Sequence, residues 1–135
     1  MKIRVLIVDD QRLFRSALRC LLEIDPAIDV IGEASNGLEA CSMAILHSAQ
    51  VACMDFRMAQ MDGVESTRLL LAALPQLKII GLSANCDAAT EDEMRAAGAA
   101  TYVAKQNAAE QLLPAIHALF ACGAPIGDAP ATAVS

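Results

Sequence analysis

Three kinds of side chain in this sequence, carboxylate, hydroxyl and amine, could act together on a cation or on phosphorus. They are the adjacent acids Asp9 and Asp10, a third acid Asp55, the hydroxyl of Ser83 and the amine of Lys105. Each stands directly after a short run that reads as a buried strand: Ile3 to Val8, Val51 to Met54, Lys78 to Leu82 and Thr101 to Ala104. Open α/β sheets bind their ligands at the carboxyl ends of such strands. Three carboxylates gathered there would repel, each close pair by ~4 kcal/mol at 4 Å and an effective dielectric near 20. A cluster of that kind persists by binding a cation, by protonating, or by recruiting a lysine. A hard, oxygen-liganded ion such as Mg²⁺ fits carboxylates that also face phosphate oxygens. Zinc ligands are lacking nearby, because His47 and His117 fall within helical patterns and read as surface or edge residues. A carboxylate beside such an ion can attack phosphorus and form an acyl phosphate. Lys105 can neutralise the transferring group's oxygens, Ser83 can hydrogen-bond one of them, and the small Ala84 keeps the approach open. Taken singly, each residue has a plainer reading: a solvated turn, a loop acid, a helix cap, a surface lysine.

The elements that must position these groups follow from periodicity. The first strand, IRVLIV, precedes Leu13, Phe14, Ala17, Leu18, Leu21 and Leu22, whose spacing predicts a helix with one apolar face. Asp25-Pro26 ends it. Ile28 to Ala34 is a second strand, and Asn36-Gly37 a turn. Leu38 to His47 is a second helix with Leu38, Cys41, Ala44 and Ile45 on one side. The third strand, Val51 to Asp55, is followed by the turn residues Asp62-Gly63 and a helix from Val64 to Leu74, which Pro75 closes. After the fourth strand, Thr90 with Glu93 predicts a capping box that starts a fourth helix, stopping at Gly98. Asn107 with Glu110 predicts the cap of a fifth helix carrying Leu112, Leu113, Ile116, Leu119 and Phe120. Pro114 conflicts with that helix, which must begin later or bend. Five strands alternating with five helices predict a doubly wound α/β fold of the flavodoxin-like kind, a parallel sheet of order 2-1-3-4-5. Its switch point, between strands 1 and 3, would bring Asp9, Asp10 and Asp55 into one crevice.

Composition narrows the partners. A chain of 135 residues with 56% hydrophobic residues can bury a sheet on both faces. No apolar segment approaches the ~18 residues of a membrane span. The N-terminus turns acidic too soon for a signal peptide, so a cytoplasmic location is expected. A net charge of −6 argues against nucleic acid binding by this chain. The five cysteines, Cys20, Cys41, Cys53, Cys86 and Cys122, have no metal-site spacing and read as small buried hydrophobes. After Cys122 the sequence GAPIGDAPATAVS has no periodicity and reads as a linker or frayed end, so residues 1–123 form the domain and 124–135 the tail.

With VLIVDDQ around Asp9-Asp10, MDFRMAQMDG around Asp55, LSA at Ser83 and TYVAK with Tyr102 and Lys105, the chain resembles the receiver domain of a two-component response regulator. The flanking DDQRLFRSALRCLL, GEASNGLEA and KQNAAEQLLPAIHALFACG are similar to nitrate-response and quorum-sensing (NarL/LuxR-like) regulators. The resemblance implies that Asp55 is the phosphoacceptor, taking its phosphoryl group from a histidine kinase or a small phosphodonor. It implies that Asp10, Asp55 and the backbone carbonyl of Arg57 hold Mg²⁺, with Asp9 assisting through water. Lys105 would pair with the phosphoryl group, Ser83 would swing toward it and Tyr102 would turn inward. The implied output is homodimerisation and transcription control, with DNA bound only through a C-terminal helix-turn-helix domain outside these residues. Three departures stand out: Ala59 where proline is usual, Gln106 after Lys105, and Pro114 in the last helix. Two competing readings are a Mg²⁺-dependent phosphatase with an aspartate nucleophile and a receiver-like binding module that is never phosphorylated. The phosphatase pattern places its two acids one residue apart, whereas Asp9 and Asp10 are adjacent.

Overall fold

A computed structural model describes residues 2–56, 63–84 and 88–121. The elements run β1 (Ile3–Val8), α1 (Arg12–Glu23), β2 (Ile28–Ala34), α2 (Gly37–His47), β3 (Val51–Asp55), α3 (Gly63–Ala73), β4 (Lys78–Ser83), α4 (Ala88–Ala97), β5 (Thr101–Ala104) and α5 (Ala108–Ala121), with a short 3-10 turn at Lys105–Asn107 before α5. All strands pair in parallel in the order β2-β1-β3-β4-β5, as the alternating pattern predicts. Alternate residues of the central strands face opposite sides, so the sheet carries two cores. Val5, Ile7, Cys53, Leu82 and Val103 pack with Leu18 and Leu22 of α1 and Leu112 and Ile116 of α5. Leu6, Val8, Met54 and Ile79 pack with Ala40 and Ala44 of α2, Leu70 of α3 and Met94 of α4.

Several sequence expectations need correction. Helix α4 begins at Ala88, so Thr90 lies inside its first turn, buried, and is not the cap. Helix α5 does not start late: it runs from Ala108 through Pro114. Pro114 and Glu110 are both exposed, so the carbonyl deprived of a partner by the proline meets water rather than the core. On α1 the predicted apolar face is wider than the core it meets. Leu18 and Leu22 are buried and Phe14 and Leu21 half-buried, but Leu13 and Ala17 are exposed. On α2 the small residues Ala40 and Ala44 take the inner face and leave Leu38 and Ile45 outside. The buried reading of the cysteines holds for Cys53, whose thiol burial pushes up to about 12. Cys41 is half-buried and Cys20 exposed; Cys86 and Cys122, like Arg57, Ala59 and Asp62, lie outside the described residues. His47 and His117 sit on exposed helix positions as expected.

Two local features hold the strand tips and the helix ends. Gly63, the first residue of α3, donates its N–H to the Phe56 carbonyl (2.7 Å). A Cβ at Gly63 would lie 2.6 Å from the Asp55 carbonyl oxygen and 2.7 Å from the Phe56 Cα. At Gly81 the same atom would meet Met94 Cε at 2.7 Å, the free end of a flexible side chain. At the opposite end of the sheet, His117 of α5 lies 2.6 Å from Asp25 in the turn after α1. The hydrogen bond from His117, and then that from the Ala27 N–H, hold the Asp25 carboxyl below its ordinary range.

These features give two tests. Gly63→Ala is expected to destabilise by more than about 2 kcal/mol, because backbone must move, and Gly81→Ala by about 1, because Met94 can yield; urea midpoints separate them. A lowered carboxylate pKa contributes stability that is present above the unfolded value, 3.8, and is lost as pH falls through the folded one. Asp25→Asn should therefore be less stable than the unaltered chain at about pH 5–6 and converge with it in more acidic solution, read as urea midpoints across that range.

Candidate functional site

The carboxyl ends of β1 and β3 lie side by side because Val8 pairs with Met54. One residue further, Asp55 closes β3, and Asp9 and Asp10 follow β1. Their ligand atoms all lie within 4.8 Å of one another. Asp9 is fully buried, Asp55 is 4% exposed and Asp10 faces solvent. The next strand places Leu82 opposite Asp55 and so sets Ser83 beside the acids. Ser83 in turn pairs with Ala104, and Lys105 follows directly. The sheet register thus delivers the three acids, the hydroxyl and the amine to one edge. Tyr102 lies half-buried on β5 beside Gly81, two residues before the Ser83 tip.

Lys105 occupies the centre of this arrangement. Its Nζ lies 2.9 Å from Asp9 Oδ2 and 3.3 Å from Asp55 Oδ1. Asp9 Oδ2 has no hydrogen bond of good geometry, so the contact with Lys105 is a charge pair without a directed bond. Its other oxygen, Oδ1, accepts the Gln11 N–H at 2.8 Å. Among the described residues, the group that could hold an ion here is three carboxylates, with one buried oxygen lacking a directed bond. That chemistry fits a hard divalent cation better than a soft one.

Two residues that support the site have no signal in the sequence. Phe14, which periodicity assigns to the core, places its ring 4.3 Å from Lys105 Nζ, a cation–π contact that backs the amine toward the acids. Arg15 donates through Nη1 to the Asp9 carbonyl (2.6 Å) and pairs through Nε with Glu33 Oε1 (3.2 Å). Glu33 also holds Arg19 (3.0 Å), whose guanidinium is kept well protonated first by its bond to Glu33. The first turn of α1 therefore fixes the strand-1 carbonyl with one residue and the strand-5 amine with its neighbour.

A fold and an acid crevice of this kind define a class. The chain matches the response regulator receiver domain over residues 5–117, and it belongs to that family. It is similar to the transcriptional regulatory protein LiaR of Bacillus subtilis (strain 168), 40% identical over 116 residues, 86% of this chain and 55% of that protein. It is 43% identical over 105 residues to a protein-glutamate methylesterase/protein-glutamine glutaminase 2 of Carboxydothermus hydrogenoformans, covering 77% of this chain and 30% of that one. Among solved structures, a LuxR-family two-component response regulator from Aurantimonas sp. SI85-9A1 superposes with a TM-score of 0.85 at 27% identity, over 90% of this chain and 86% of that one. The chain spans about half the length of the curated transcriptional regulators that it matches. No helix among the described residues is long and apolar enough to cross a membrane.

Removing one partner of a buried charge cluster leaves the others uncompensated, at a cost of about 3 kcal/mol or more. Lys105→Met should therefore lower the melting temperature in the presence of a chelator. Adding Mg²⁺ should restore more stability to this variant than to the unaltered chain, because an ion that binds only the folded state stabilises it by mass action. Paired thermal melts with chelator and with Mg²⁺ make the comparison.

Proposed function

We propose that the chain is a phosphorylation-controlled switch in which Asp55 is the phosphoacceptor. The observation that carries this reading is the meeting of Asp9, Asp10 and Asp55 within 4.8 Å, with Lys105 between two of them. An Asp55 oxygen attacks the phosphorus of a phosphohistidine on a kinase, or of a small donor such as acetyl phosphate. The new P–O bond forms as the bond to the donor breaks, and the donor leaves with the electron pair. Asp10, Asp55 and the Arg57 backbone carbonyl would hold Mg²⁺, with Asp9 acting through water. When bound, that ion supplies charge neutralisation to the equatorial oxygens of the transferring group.

The chain's own groups do the rest. Lys105 leaves its pairing with Asp55 for the phosphoryl oxygens, where a full extra charge attracts it. Ser83, at the adjoining tip of β4, is within one strand of the acceptor and donates its hydroxyl to the same group. Tyr102, on the neighbouring strand, moves inward behind it. A phosphoryl group adds charge and acceptor oxygens, so it shifts the population toward whichever arrangement satisfies them. The switched output is a homodimer, and residues 1–123 act as the regulatory domain of a longer cytoplasmic transcription regulator. Residues 124–135 are its linker, and DNA is reached only through a C-terminal domain outside this chain. Turnover of a phosphomonoester is not part of this role.

Incubation with acetyl phosphate and Mg²⁺ should add the mass of one phosphoryl group to the unaltered chain and none to Asp55→Asn. An unmodified wild-type chain, or equal modification of the variant, would remove the proposal.

A further inference from the structure

Beneath the sheet, at the end away from the acids, lies a cleft of about 570 Å³. That volume falls within the roughly 300–1,000 Å³ of ligand pockets, room for more than one side chain. Its apolar walls are Ile45 of α2, Leu74 and Pro75 after α3, and Phe120 near the end of α5. Ile45 is 55% exposed, a large aliphatic side chain that the core leaves uncovered. The Leu77 N–H donates to the Leu74 carbonyl at 3.1 Å and closes a turn around Pro75, so that wall is already formed. Arg4 of β1 is the one charged residue lining the cleft. Its Nε donates to the Ser48 carbonyl at 2.7 Å. Ser48 ends α2 with left-handed backbone (φ 54°, ψ 52°), a conformation uncommon for serine. That bond orients the guanidinium and leaves its Nη groups without an acceptor among the described residues. Asp29, the register neighbour of Arg4 on β2, forms no ion pair with it.

We infer that the occupant of this cleft is the chain's own segment 122–135, with Ile126 seated among Ile45, Leu74 and Phe120 and the Asp128 carboxylate accepting from the Arg4 Nη groups. The segment starts at the cleft, since Phe120 lines it and Ala121 is the last residue of α5. Ile126 stands five residues beyond Ala121, a reach of up to about 17 Å for an extended chain. The composition of the segment matches the cleft. Asp128 is its one charged side chain, and Ile126 and Val134 are its large aliphatic residues. Ile126 stands two residues before the acid and Val134 six after it, so Ile126 is the one that shares a compact site with Asp128. Pro125, directly before Ile126, has a fixed φ and lowers the cost of ordering the segment. A ligand only a few residues from its site on the same chain is present at an effective concentration in the millimolar range, so modest contacts suffice. Docking sets the direction in which the chain leaves the domain, at the opposite end of β3 from Asp55. It requires no phosphoryl group and stands apart from the switch proposed above.

The test compares amide NMR spectra of the full 135-residue chain, without a phosphodonor, with those of variants confined to the segment, which leave the domain's core untouched. Ile126→Ser and Asp128→Lys should each shift the Ser48 and Gln50 amide resonances and leave those of Asp9 and Ala104 in place. The steady-state heteronuclear NOE of Gly127, between the two anchors, should fall at least twofold in either variant. Arg4→Glu combined with Asp128→Lys should restore it. Cleft resonances unmoved by either segment variant, or no recovery in the charge swap while the β1 resonances stay intact, would overturn the inference. Should Arg4→Glu disturb β1, the two segment variants decide alone. Shifts that vanish on tenfold dilution would also overturn it, because they assign the cleft to the segment of a second copy.

Discussion

The structure depends on one electrostatic compromise: two acids buried against each other, with a single amine between them. Asp9 and Asp55 are almost wholly withdrawn from water, and Lys105 touches both. Buried carboxylates without such a partner would protonate or force the strand tips apart. The lysine cannot satisfy everything, since Asp9 Oδ2 gains a charge contact but no directed hydrogen bond. The resting site is thus held together and left incomplete at once. What remains unsatisfied is a buried carboxylate oxygen, the kind of donor that a hard cation takes.

That compromise is sustained by parts with no chemistry of their own. Parallel pairing with fixed register decides that Asp55, Ser83 and Lys105 emerge from neighbouring strands at one level. Gly63 lets α3 start against the Asp55 and Phe56 backbone, which no larger residue could do without moving it. The α1 helix adds a second layer. Phe14 and Arg15 are adjacent in sequence and diverge around the helix, one toward the β5 tip and the other toward the β1 tip. Any displacement of α1 is consequently felt by both charges at the site.

Much of this was legible in the sequence, for a definite reason. Strands buried on both faces read as unbroken apolar runs, so β1, β2, β3 and β5 have the predicted limits, and β4 extends one residue further to include Ser83. Chemistry placed at strand tips is visible only in combination, because each such residue alone reads as a turn, cap or surface group, whereas four tips at the ligand-binding end of one sheet carry them together. Helix faces were harder. Leu13 and Leu38 look like core by spacing, but Ala40 and Ala44 allow α2 close to the sheet, and the core beneath α1 is narrower than its apolar surface. Thr90 and Glu93 satisfy a capping pattern that the chain does not use, since helical residues precede them. Phe14 and Arg15 gave no sign of their roles, because both act through partners distant in sequence, and only the packed fold brings those partners within reach.

One residue beside the site has a further consequence. Tyr102 is the chain's one tyrosine, and the chain has no tryptophan. Its ring lies against Gly81, where the missing side chain leaves room, with Met94 closing the other side of that space. Ultraviolet emission from this protein therefore originates essentially at one point, on the strand that leads into Lys105. The molecule contains its own optical probe, two residues before Ala104 and unmixed with light from any other aromatic of comparable yield.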